Sequence, residues 1–242
     1  MSKTAMVMAA GLGTRMRPLT NDRPKPLVML GGKTLIDHSL DKLREAGVDN
    51  VVVNVHYLPD MVTAHLSENA ADLNITISDE RDLLLETGGG LIKALPFLPE
   101  DPFYCVNSDN IWTENGGVAL TKLAAAWDAE IMDALLLVVP TANAHNHKGA
   151  GDFYMDDTAL LERRGDRDSA PFIYTGIQLI SHRLLRDPPG GAFSTNIFWS
   201  RAIQEGRLHG MIHSGEWFDI GSPEAISPTE ARLAELARAV NA

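Results

Sequence analysis

The sequence predicts an α/β fold in which helices flank a mostly parallel sheet that carries a small antiparallel extension. Short β-rich runs alternate with helical patterns through the first half of the chain, which is typical of a parallel sheet with helices on both faces. Between residues 153 and 180, further β-rich runs follow one another, which is typical of antiparallel strands. At 242 residues with 45% hydrophobic composition, the chain can bury a full core, and we expect a single domain over residues 1–242.

The elements of the first half follow from periodicity and from end signals. An apolar run at residues 4–9 predicts the first strand. Ile36, Leu40 and Leu43 fall on one helical face, and Gly47 is well placed to end that helix. Alternating elements follow: a strand at residues 51–55, a helix at 59–69, a strand at 75–78, a helix at 88–95 and a strand at 103–107. Their order predicts a Rossmann-like sheet built from βαβ units.

The second half begins in the same way and then becomes less regular. A helix is predicted at about residues 118–128 and a strong strand at 134–139, followed by a polar loop at 140–150. We expect strands at residues 153–155, 159–161 and 172–180 to form an antiparallel meander that serves as a lid or a substrate-side extension. The last predicted elements are a helix at 195–205, a strand at 208–213 and a terminal helix that ends near residue 240.

Charge and composition restrict the expected partners to small molecules. The net charge of −11 disfavours a nucleic-acid groove and an anionic membrane surface, because both reward extended positive patches. No segment approaches the ~20 apolar residues of a membrane helix. Cys105, the only cysteine, lies in an apolar run and is expected to pack as a small hydrophobic residue. A single cysteine forms no intrachain disulfide, so we expect a cytoplasmic location, and a homo-oligomer is left open.

The segment "MAAGLGTRMRPLTNDRPKP", residues 8–26, predicts a phosphate site directly after the first strand. Glycines at 11 and 13 let backbone N–H groups approach phosphate oxygens, and Arg15 can span two of those oxygens in a planar fork. Lys25 adds a compact charge, and the prolines on either side of it predict a stiff, extended arm. Two other phosphate motifs are excluded: the glycine that a P-loop requires falls on Leu27, and the dinucleotide fingerprint lacks its last glycine.

Two aspartates and a glycine run add candidate residues to this site. Asp109 directly follows an apolar strand, and Asp219 lies in an aromatic segment. Two carboxylates at strand ends suit Mg²⁺, which accepts carboxylate and phosphate oxygens, although each aspartate alone could be a helix cap or a turn residue. Glu86-Thr87 and the three glycines that follow predict a backbone surface for a base or a sugar.

Five basic residues of the second half could have either of two roles. Each of them either receives an acceptor phosphate or is simply exposed to solvent. Metal binding by the histidines is disfavoured because no further ligand lies near in sequence. The five residues are His145, His147, Lys148, Arg163 and Arg164.

With these motifs the chain resembles the sugar-1-phosphate nucleotidylyltransferases. Their signature GxGTRxxPxT…PKP is matched at residues 11–20 and 24–26. The resemblance extends over almost the whole chain, and it is nearest to members that use UTP and N-acetylmuramate-1-phosphate. It is carried by "ETGGGLIKALP", "VNSDNIWTE", "GDF", "YTGI", "GAF" and "WFDIGS". The resemblance implies a nucleotidyltransferase fold of the GT-A-like type.

The resemblance also implies a role for each candidate residue. The implied catalytic residues are Arg15 and Lys25, and the implied Mg²⁺ ligands are Asp109 and Asp219. Nucleotide binding is implied for Ala10, Gly11, Gly13, Thr14, Glu86, Thr87, Gly88 and Gly89. Contacts to the sugar-1-phosphate are implied for Asn107, Asp152, Glu162, Thr175 and Gly176. Two departures stand out: Ser108 replaces a common glycine, and Glu162-Arg163-Arg164 stands nearest to the Glu-Lys-Pro element of many relatives.

The expected activity is Mg²⁺-dependent transfer of UMP from UTP to N-acetylmuramate-1-phosphate, which releases pyrophosphate and forms a nucleotide sugar. An ionised phosphate of the acceptor attacks the α-phosphorus in line, so no general base is required. Guanylyl, thymidylyl or cytidylyl transfer to another sugar phosphate stays open. So does a catalytically silent, nucleotide-binding regulatory subunit of the same fold. A glycosyltransferase is disfavoured because Asn107-Ser108-Asp109 is not a DxD motif.

Overall fold

A mixed sheet forms the centre of the computed structural model, which describes residues 2–240. Helices pack on both faces of this sheet, which confirms the predicted α/β fold. The strands are β1 (Thr4–Met8), β2 (Met29–Leu30), β3 (Lys33–Thr34), β4 (Asn50–Val55), β5 (Asn74–Asp79), β6 (Phe103–Asn107), β7 (Asn110–Trp112), β8 (Ala134–Pro140), β9 (Ala144–His145), β10 (Phe153–Met155), β11 (Leu161–Arg163), β12 (Phe172–Ile180), β13 (Leu208–Ile212) and β14 (Trp217–Asp219). The helices are α1 (Leu35–Glu45), α2 (Pro59–Asn69), α3 (Glu86–Ala94), α4 (Ala119–Ala125), α5 (Asn196–Gln204) and α6 (Ile226–Val240). Within the described range, none of these helices has the length and apolar character needed to cross a bilayer.

The largest sheet has nine strands, and its middle is parallel. The main path runs in the order β11-β10-β12-β6-β1-β4-β5, while β8 joins β12 and β13 joins β8 off this path. Strands β6, β1, β4 and β5 are parallel neighbours, with Met8 opposite Asn107 on one side and Asn54 on the other. Because parallel strands end at the same edge, the residues that follow β1, β4 and β6 come together there.

The antiparallel extension is smaller than the sequence predicts. Strand β12 was expected in a separate meander, but it lies within the main sheet between β6 and β8, antiparallel to both. Only β10 and β11 form the extension. The strand predicted at residues 159–161 begins at Leu161 because Ala159 closes a turn on Asp156, with Ala159 N donating to Asp156 O at 3.0 Å. An almost continuous apolar strand such as β12 is typical of burial on both faces rather than of an exposed meander.

A second, three-stranded sheet in the order β7-β14-β9 was not predicted at all. Strand β14 pairs antiparallel with β7 and parallel with β9, so part of the loop predicted at residues 140–150 is a strand. Strands of two or three residues carry no readable periodicity, and only their pairing partners identify them. This small sheet brings the segment after Asp109 next to Asp219.

Alternation along β1 divides the core between the two faces of the main sheet. Val7 belongs to the cluster under α1, α2 and α4, whereas Met6 belongs to the cluster under α3 and α5. Successive strand residues point to opposite faces, so a single short strand supports both layers. Cys105 lies in the second cluster at 2% exposure, and burial raises the pKa of its thiol to about 12, which confirms the predicted packing role.

A third apolar cluster fastens the glycine loop to the small sheet. Met16 of the loop packs with Leu30 and Leu35, with Ile111 of β7 and with Phe218 of β14. Each of these side chains is at most 4% exposed. The loop is therefore held by a packed core although most of its polar residues face solvent.

A buried polar network braces the carboxyl edge of the sheet. Asn54 accepts a hydrogen bond from Ala9 N at 2.7 Å and donates one to Glu80 Oε1 at 2.7 Å. Glu80 Oε2 accepts another from Leu85 N at 3.0 Å. Both polar residues are 1% exposed, and a Cβ at Gly90 would lie 2.8 Å from Glu80 Oε1. Glycine at position 90 thus leaves room for a network that joins β1 and β4 to the entrance of α3.

We expect Glu80→Gln to lower the free energy of unfolding by about 1–3 kcal/mol. Both carboxylate oxygens of Glu80 accept a hydrogen bond, whereas the glutamine amide has one acceptor oxygen, so the variant would leave a buried donor without a partner. Urea denaturation would measure the change. Glu68→Gln, at an exposed position of α2, is the control and should stay within about 0.5 kcal/mol of wild type. Equal effects of the two variants would show that the network does not brace the fold.

Candidate active site

A groove opens at the carboxyl edge of the parallel strands, where open α/β sheets bind ligands. Its first compartment has a volume of about 390 Å³. The wall comes from the end of β1, from β4, from the end of β6, from the start of α3 and from the segment after the glycine loop. The lining residues include Ala10, Gly11, Lys25, Asn54, Glu86, Thr87, Asn107 and Asp109.

The groove continues from this compartment across the sheet. A second compartment of about 190 Å³ shares its wall with the first at Met8, Thr87, Asn107 and Ser194. A third, of about 370 Å³, shares its wall with the second at Tyr174, Asn196 and Trp199. The three compartments therefore form a path from β1 to the β10–β11 extension.

An ion pair marks the first compartment. Lys25 Nζ lies 2.5 Å from Asp109 Oδ2, and the two side chains are 12% and 29% exposed. Gly13 has a φ of +62°, and a Cβ there would lie 3.0 Å from Lys25 Cβ. The loop can pack on the base of Lys25 because position 13 has no side chain.

The backbone at Lys25 differs from the predicted extended arm. Lys25 begins a single 3₁₀ turn, Lys25–Leu27, in which Leu27 N donates to Pro24 O at 2.9 Å and Val28 N donates to Lys25 O at 3.0 Å. The turn satisfies backbone groups that a buried extended arm would leave without partners. Pro24 itself is extended, with φ −69° and ψ 146°, so the stiffness expected from the prolines precedes the lysine.

Asp219 lies next to Asp109, as their places at the ends of strands indicated. In the small sheet Asp219 is opposite Asn110, and Ile220 N donates to Asp109 O at 3.4 Å. Burial, and then the negative charge of Asp109, raise the pKa of Asp219 above its ordinary value of 3.8. The nearby charges of Lys25 and Arg15 act in the opposite direction.

Arg15 reaches this carboxylate pair from the glycine loop. A Cβ at Gly221 would lie 3.2 Å from Arg15 Nη1 and 3.0 Å from Asp219 Oδ1, so glycine at 221 leaves the space that the guanidinium and the carboxylate share. Arg15 and Thr14 are exposed, whereas Met16 in the same 3₁₀ turn is buried. The turn therefore anchors an outward-facing arginine.

The start of α3 contributes Glu86 and Thr87 to the groove. The next two glycines are covered: a Cβ at Gly88 would lie 2.4 Å from the ring of Phe193, and one at Gly89 would lie 2.5 Å from Gly191 O. These glycines thus permit residues 191–193 to pack directly on the helix. Nucleotide contacts at Gly88 and Gly89 stay predictions that would require the covering segment to move.

On the predicted acceptor side, the structure brings Asn107 and Asp152 to the groove. Asp152 Oδ2 accepts a hydrogen bond from Tyr174 N at 2.9 Å, which joins the extension to β12. Glu162 is exposed and pairs with Arg167 instead of lining the groove. A direct sugar contact by Glu162 stays a prediction.

Thr175 and Gly176 form an irregularity of β12 between Tyr174 and Ile177. Thr175 is fully buried, and its hydroxyl donates to Leu137 O at 2.7 Å. Gly176 has a φ of +79°, and a Cβ there would lie 1.9 Å from Asn110 Nδ2. The structure therefore gives both residues a packing role behind the site, and their direct contact with an acceptor stays a prediction.

Sequence reasoning missed several groove residues. Tyr174 and Trp199 line the second and third compartments, and Ser194 lines the first and second. No local signal separates a groove aromatic residue from a core one. Asn54, an amide near the carboxyl end of a strand that is apolar from Val51 to Val53, was the one signal available.

Comparisons with known proteins show the family to which the chain belongs. A family model described as nucleotidyl transferase matches residues 4–148. The chain is 46% identical over 236 residues to N-acetylmuramate alpha-1-phosphate uridylyltransferase of Caulobacter vibrioides, covering 96% of this chain and 98% of that protein. It is 32% identical over 220 residues to the protein of that name from Neisseria meningitidis serogroup B, covering 90% and 93%. The inositol-1-phosphate CTP transferase structure from T. maritima superposes with a TM-score of 0.78 at 17% identity, covering 95% and 94%, which supports the fold alone.

We expect Asp219→Asn to raise the melting temperature of the ligand-free protein by roughly 2 °C near pH 7. The folded-state pKa of Asp219 is raised, so ionisation of this group destabilises the fold, and the amide removes that penalty. The stabilisation should be absent below the ordinary pKa and should grow as the pH rises through the folded-state pKa. Thermal unfolding in EDTA at several pH values measures it.

The control for this measurement is Asp157→Asn, at an exposed position of the extension, which should leave the melting temperature unchanged at each pH. A melting temperature of Asp219→Asn well below that of wild type would mean that Asp219 supports the fold, contrary to the electrostatic interpretation.

Proposed function

The chain belongs to the nucleotidyl transferase family, an enzyme family, and on this premise we propose that it transfers UMP from UTP to N-acetylmuramate α-1-phosphate. The products are a nucleotide sugar and pyrophosphate. One observation carries the proposal: Lys25, Arg15 and a pair of aspartates meet beside one end of a groove whose three compartments continue across the sheet. The relative with 46% identity over nearly the whole chain supports the choice of substrates.

The charges support an assignment of the two ligands to the groove. The triphosphate belongs at the first compartment, because Lys25 lines it and Arg15 lies beside the neighbouring carboxylates. The base and ribose then face Glu86 and Thr87 at the start of α3. The sugar of the acceptor extends through the second compartment toward the third, with its phosphate at Asn107 and close to the α-phosphorus.

The carboxylate pair fits a divalent cation such as Mg²⁺. Asp109 and Asp219 are close enough for the charge of one to raise the pKa of the other, which a bound cation would reverse. Within residues 2–240, no group of three or more His, Cys, Asp or Glu side chains could hold a metal ion. The chain thus offers two carboxylates, and the remaining ligands would be phosphate oxygens and water, as Mg²⁺ prefers. When bound, the ion would withdraw charge from the phosphate oxygens.

The reaction needs charge neutralisation more than proton transfer. An oxygen of the sugar phosphate forms a bond to the α-phosphorus in line, the bond from that phosphorus to the α–β bridging oxygen breaks, and pyrophosphate leaves with that electron pair. The attacking phosphate is already ionised near pH 7, so the site needs no general base. Lys25 and Arg15 lower the repulsion between the two anionic ligands, and Lys25 is held in place by its ion pair with Asp109.

The location we propose is the cytoplasm, where nucleoside triphosphates are available and where thiols stay reduced, consistent with a single buried cysteine. N-acetylmuramate is a peptidoglycan sugar, so the product would feed peptidoglycan metabolism.

The substrates can be tested by measuring pyrophosphate release from the purified protein. The four common nucleoside triphosphates are each combined with N-acetylmuramate-, N-acetylglucosamine-, glucose- and mannose-1-phosphate, with Mg²⁺ or with EDTA. We expect the highest kcat/KM for UTP with the N-acetylmuramate compound, and no turnover in EDTA. Preference for another pair would reject the named substrates, and no release from any pair would indicate a silent nucleotide-binding subunit.

The role of the cationic residues can be tested with Lys25→Met and Arg15→Ala. Each should lower kcat on the order of 10²-fold, the scale of removing one preorganised group that stabilises developing charge. Lys33→Met is a matched control, because Lys33 Nζ also lies 2.5 Å from an aspartate, Asp41, but that pair is exposed and outside the groove. Steady-state kinetics with melting temperatures as a folding check make the comparison. Normal turnover in both site variants would refute their assigned roles.

A further inference from the structure

A second cation lies at the far end of the groove. Arg163 lines the third compartment, whereas Lys25 lines the first. These two compartments share no lining residue among those that the structure describes. The Arg163 guanidinium is held from one side, because its Nη2 donates to Asn196 O at 3.2 Å and to Asn196 Oδ1 at 3.1 Å. It also lies 5.8 Å from the ring centre of Phe153 and 5.9 Å from that of Trp199.

This arginine has no anionic partner among the residues that the structure describes. The negative charge of Asp152 acts on it at longer range only, and burial lowers the pKa of Arg163 below its ordinary value. A guanidinium still stays charged near neutral pH. Protein oxygens replace the lost hydration of this half-buried cation only at Nη2, so an anion in the third compartment would bind its other donors favourably.

The neighbouring arginines are engaged elsewhere. Arg164 donates to Gly151 O at 3.1 Å and to Arg167 O at 2.9 Å, so its donors hold the backbone of the extension. Arg167 forms an ion pair with Glu162 and lies 4.4 Å from the ring centre of Tyr154. Arg164 also lines the third compartment, but its Nε and Nη1 are used by those backbone oxygens, whereas Arg163 uses Nη2 alone. Arg163 therefore has more donors left for a ligand in the third compartment.

The acceptor sugar has two anionic groups, and the groove separates the places where they can bind. Its phosphate must approach the α-phosphorus, which the proposed function puts at the Lys25 and Asp109 end. N-acetylmuramate differs from N-acetylglucosamine by a lactyl ether on the sugar ring, and this ether ends in a carboxylate. With the phosphate at the first compartment, the cation in the third is left for the second anion of the same molecule.

We infer that Arg163 is the residue that selects an acidic acceptor, by binding the lactyl carboxylate of N-acetylmuramate α-1-phosphate. This inference rests on the proposed function. The planar fork of an arginine matches a carboxylate with two parallel hydrogen bonds, and Asn196 with the two aromatic rings fixes the plane of that fork. Asp152 lies on the wall of the same compartment, where its negative charge would repel an acidic group that is not paired with Arg163.

The test compares two acceptors that differ only in the lactyl group, N-acetylmuramate- and N-acetylglucosamine-1-phosphate, with UTP and Mg²⁺. Arg163→Gln should raise the KM for the acidic acceptor on the order of 10- to 100-fold, the loss expected for one charge-assisted pair. The kcat/KM for the neutral acceptor, measured at high enzyme concentration, should stay within about twofold of wild type. Arg163→Lys keeps the charge without the fork and should recover part of the loss.

The matched control is Arg167→Gln, which also removes an arginine stacked on an aromatic ring of the extension, but one that does not line the groove. It should leave the ratio of the two kcat/KM values unchanged.

The outcomes separate the inference from the proposed function. Suppose that the wild-type protein uses the acidic acceptor. An equal loss of kcat/KM for both acceptors in Arg163→Gln would then mean that Arg163 binds the phosphate common to both. An unchanged ratio without any loss would mean that Arg163 contacts neither. Either result overturns the inference and leaves the proposed function intact, whereas wild-type protein that does not use the acidic acceptor overturns both.

Discussion

Two carboxylates held close together, Asp109 and Asp219, are the constraint on which the arrangement of the site depends. Burial, and then repulsion by the like charge of Asp109, raise the pKa of Asp219. The surrounding cations reduce the cost: Lys25 pairs directly with Asp109, and Arg15 lies beside Asp219 across Gly221. The carboxylate pair is therefore held at an electrostatic cost, which the proposed divalent cation would relieve, and functional sites often trade stability for activity in this way.

Such a strained pair stays in place only where the surrounding backbone is held from several directions. The three-stranded sheet fixes Asp219 opposite the segment after Asp109, and the apolar cluster around Met16 fastens the glycine loop to that sheet. Beneath the edge of the main sheet, the hydrogen bonds of Asn54 and Glu80 join strand ends that carry the opposite wall of the groove. Each support comes from a different part of the chain, so the precision of the site is a property of the whole packed structure.

The protein is acidic overall, yet its groove places cations among its carboxylates. A net charge of −11 repels polyanions at long range, so the proposed phosphate binding would depend on a few cations in a concave site, where screening by water is weakest. Lys25 lines the first compartment with Arg15 nearby, and Arg163 lines the third with no ion pair to any residue from 2 to 240. A groove with cations near both ends suits a ligand that is charged at both ends, and it disfavours extended nucleic acid, which needs a continuous basic surface.

By itself, the sequence determined the α/β class, the helix at residues 59–69, the glycine loop with Arg15 and the aspartates at strand ends, because periodicity, backbone freedom and charge are local properties that neighbouring residues express together. Only the tertiary structure decided that β12 lies inside the main sheet, that Gly88 and Gly89 are covered by residues 191–193, and that Thr175 and Gly176 pack behind the site. It also decided that Arg163, whose role the sequence left open, faces a compartment without an anionic partner among the described residues. These outcomes depend on contacts between segments far apart in the chain, and no spacing within one segment encodes which distant surface will cover it.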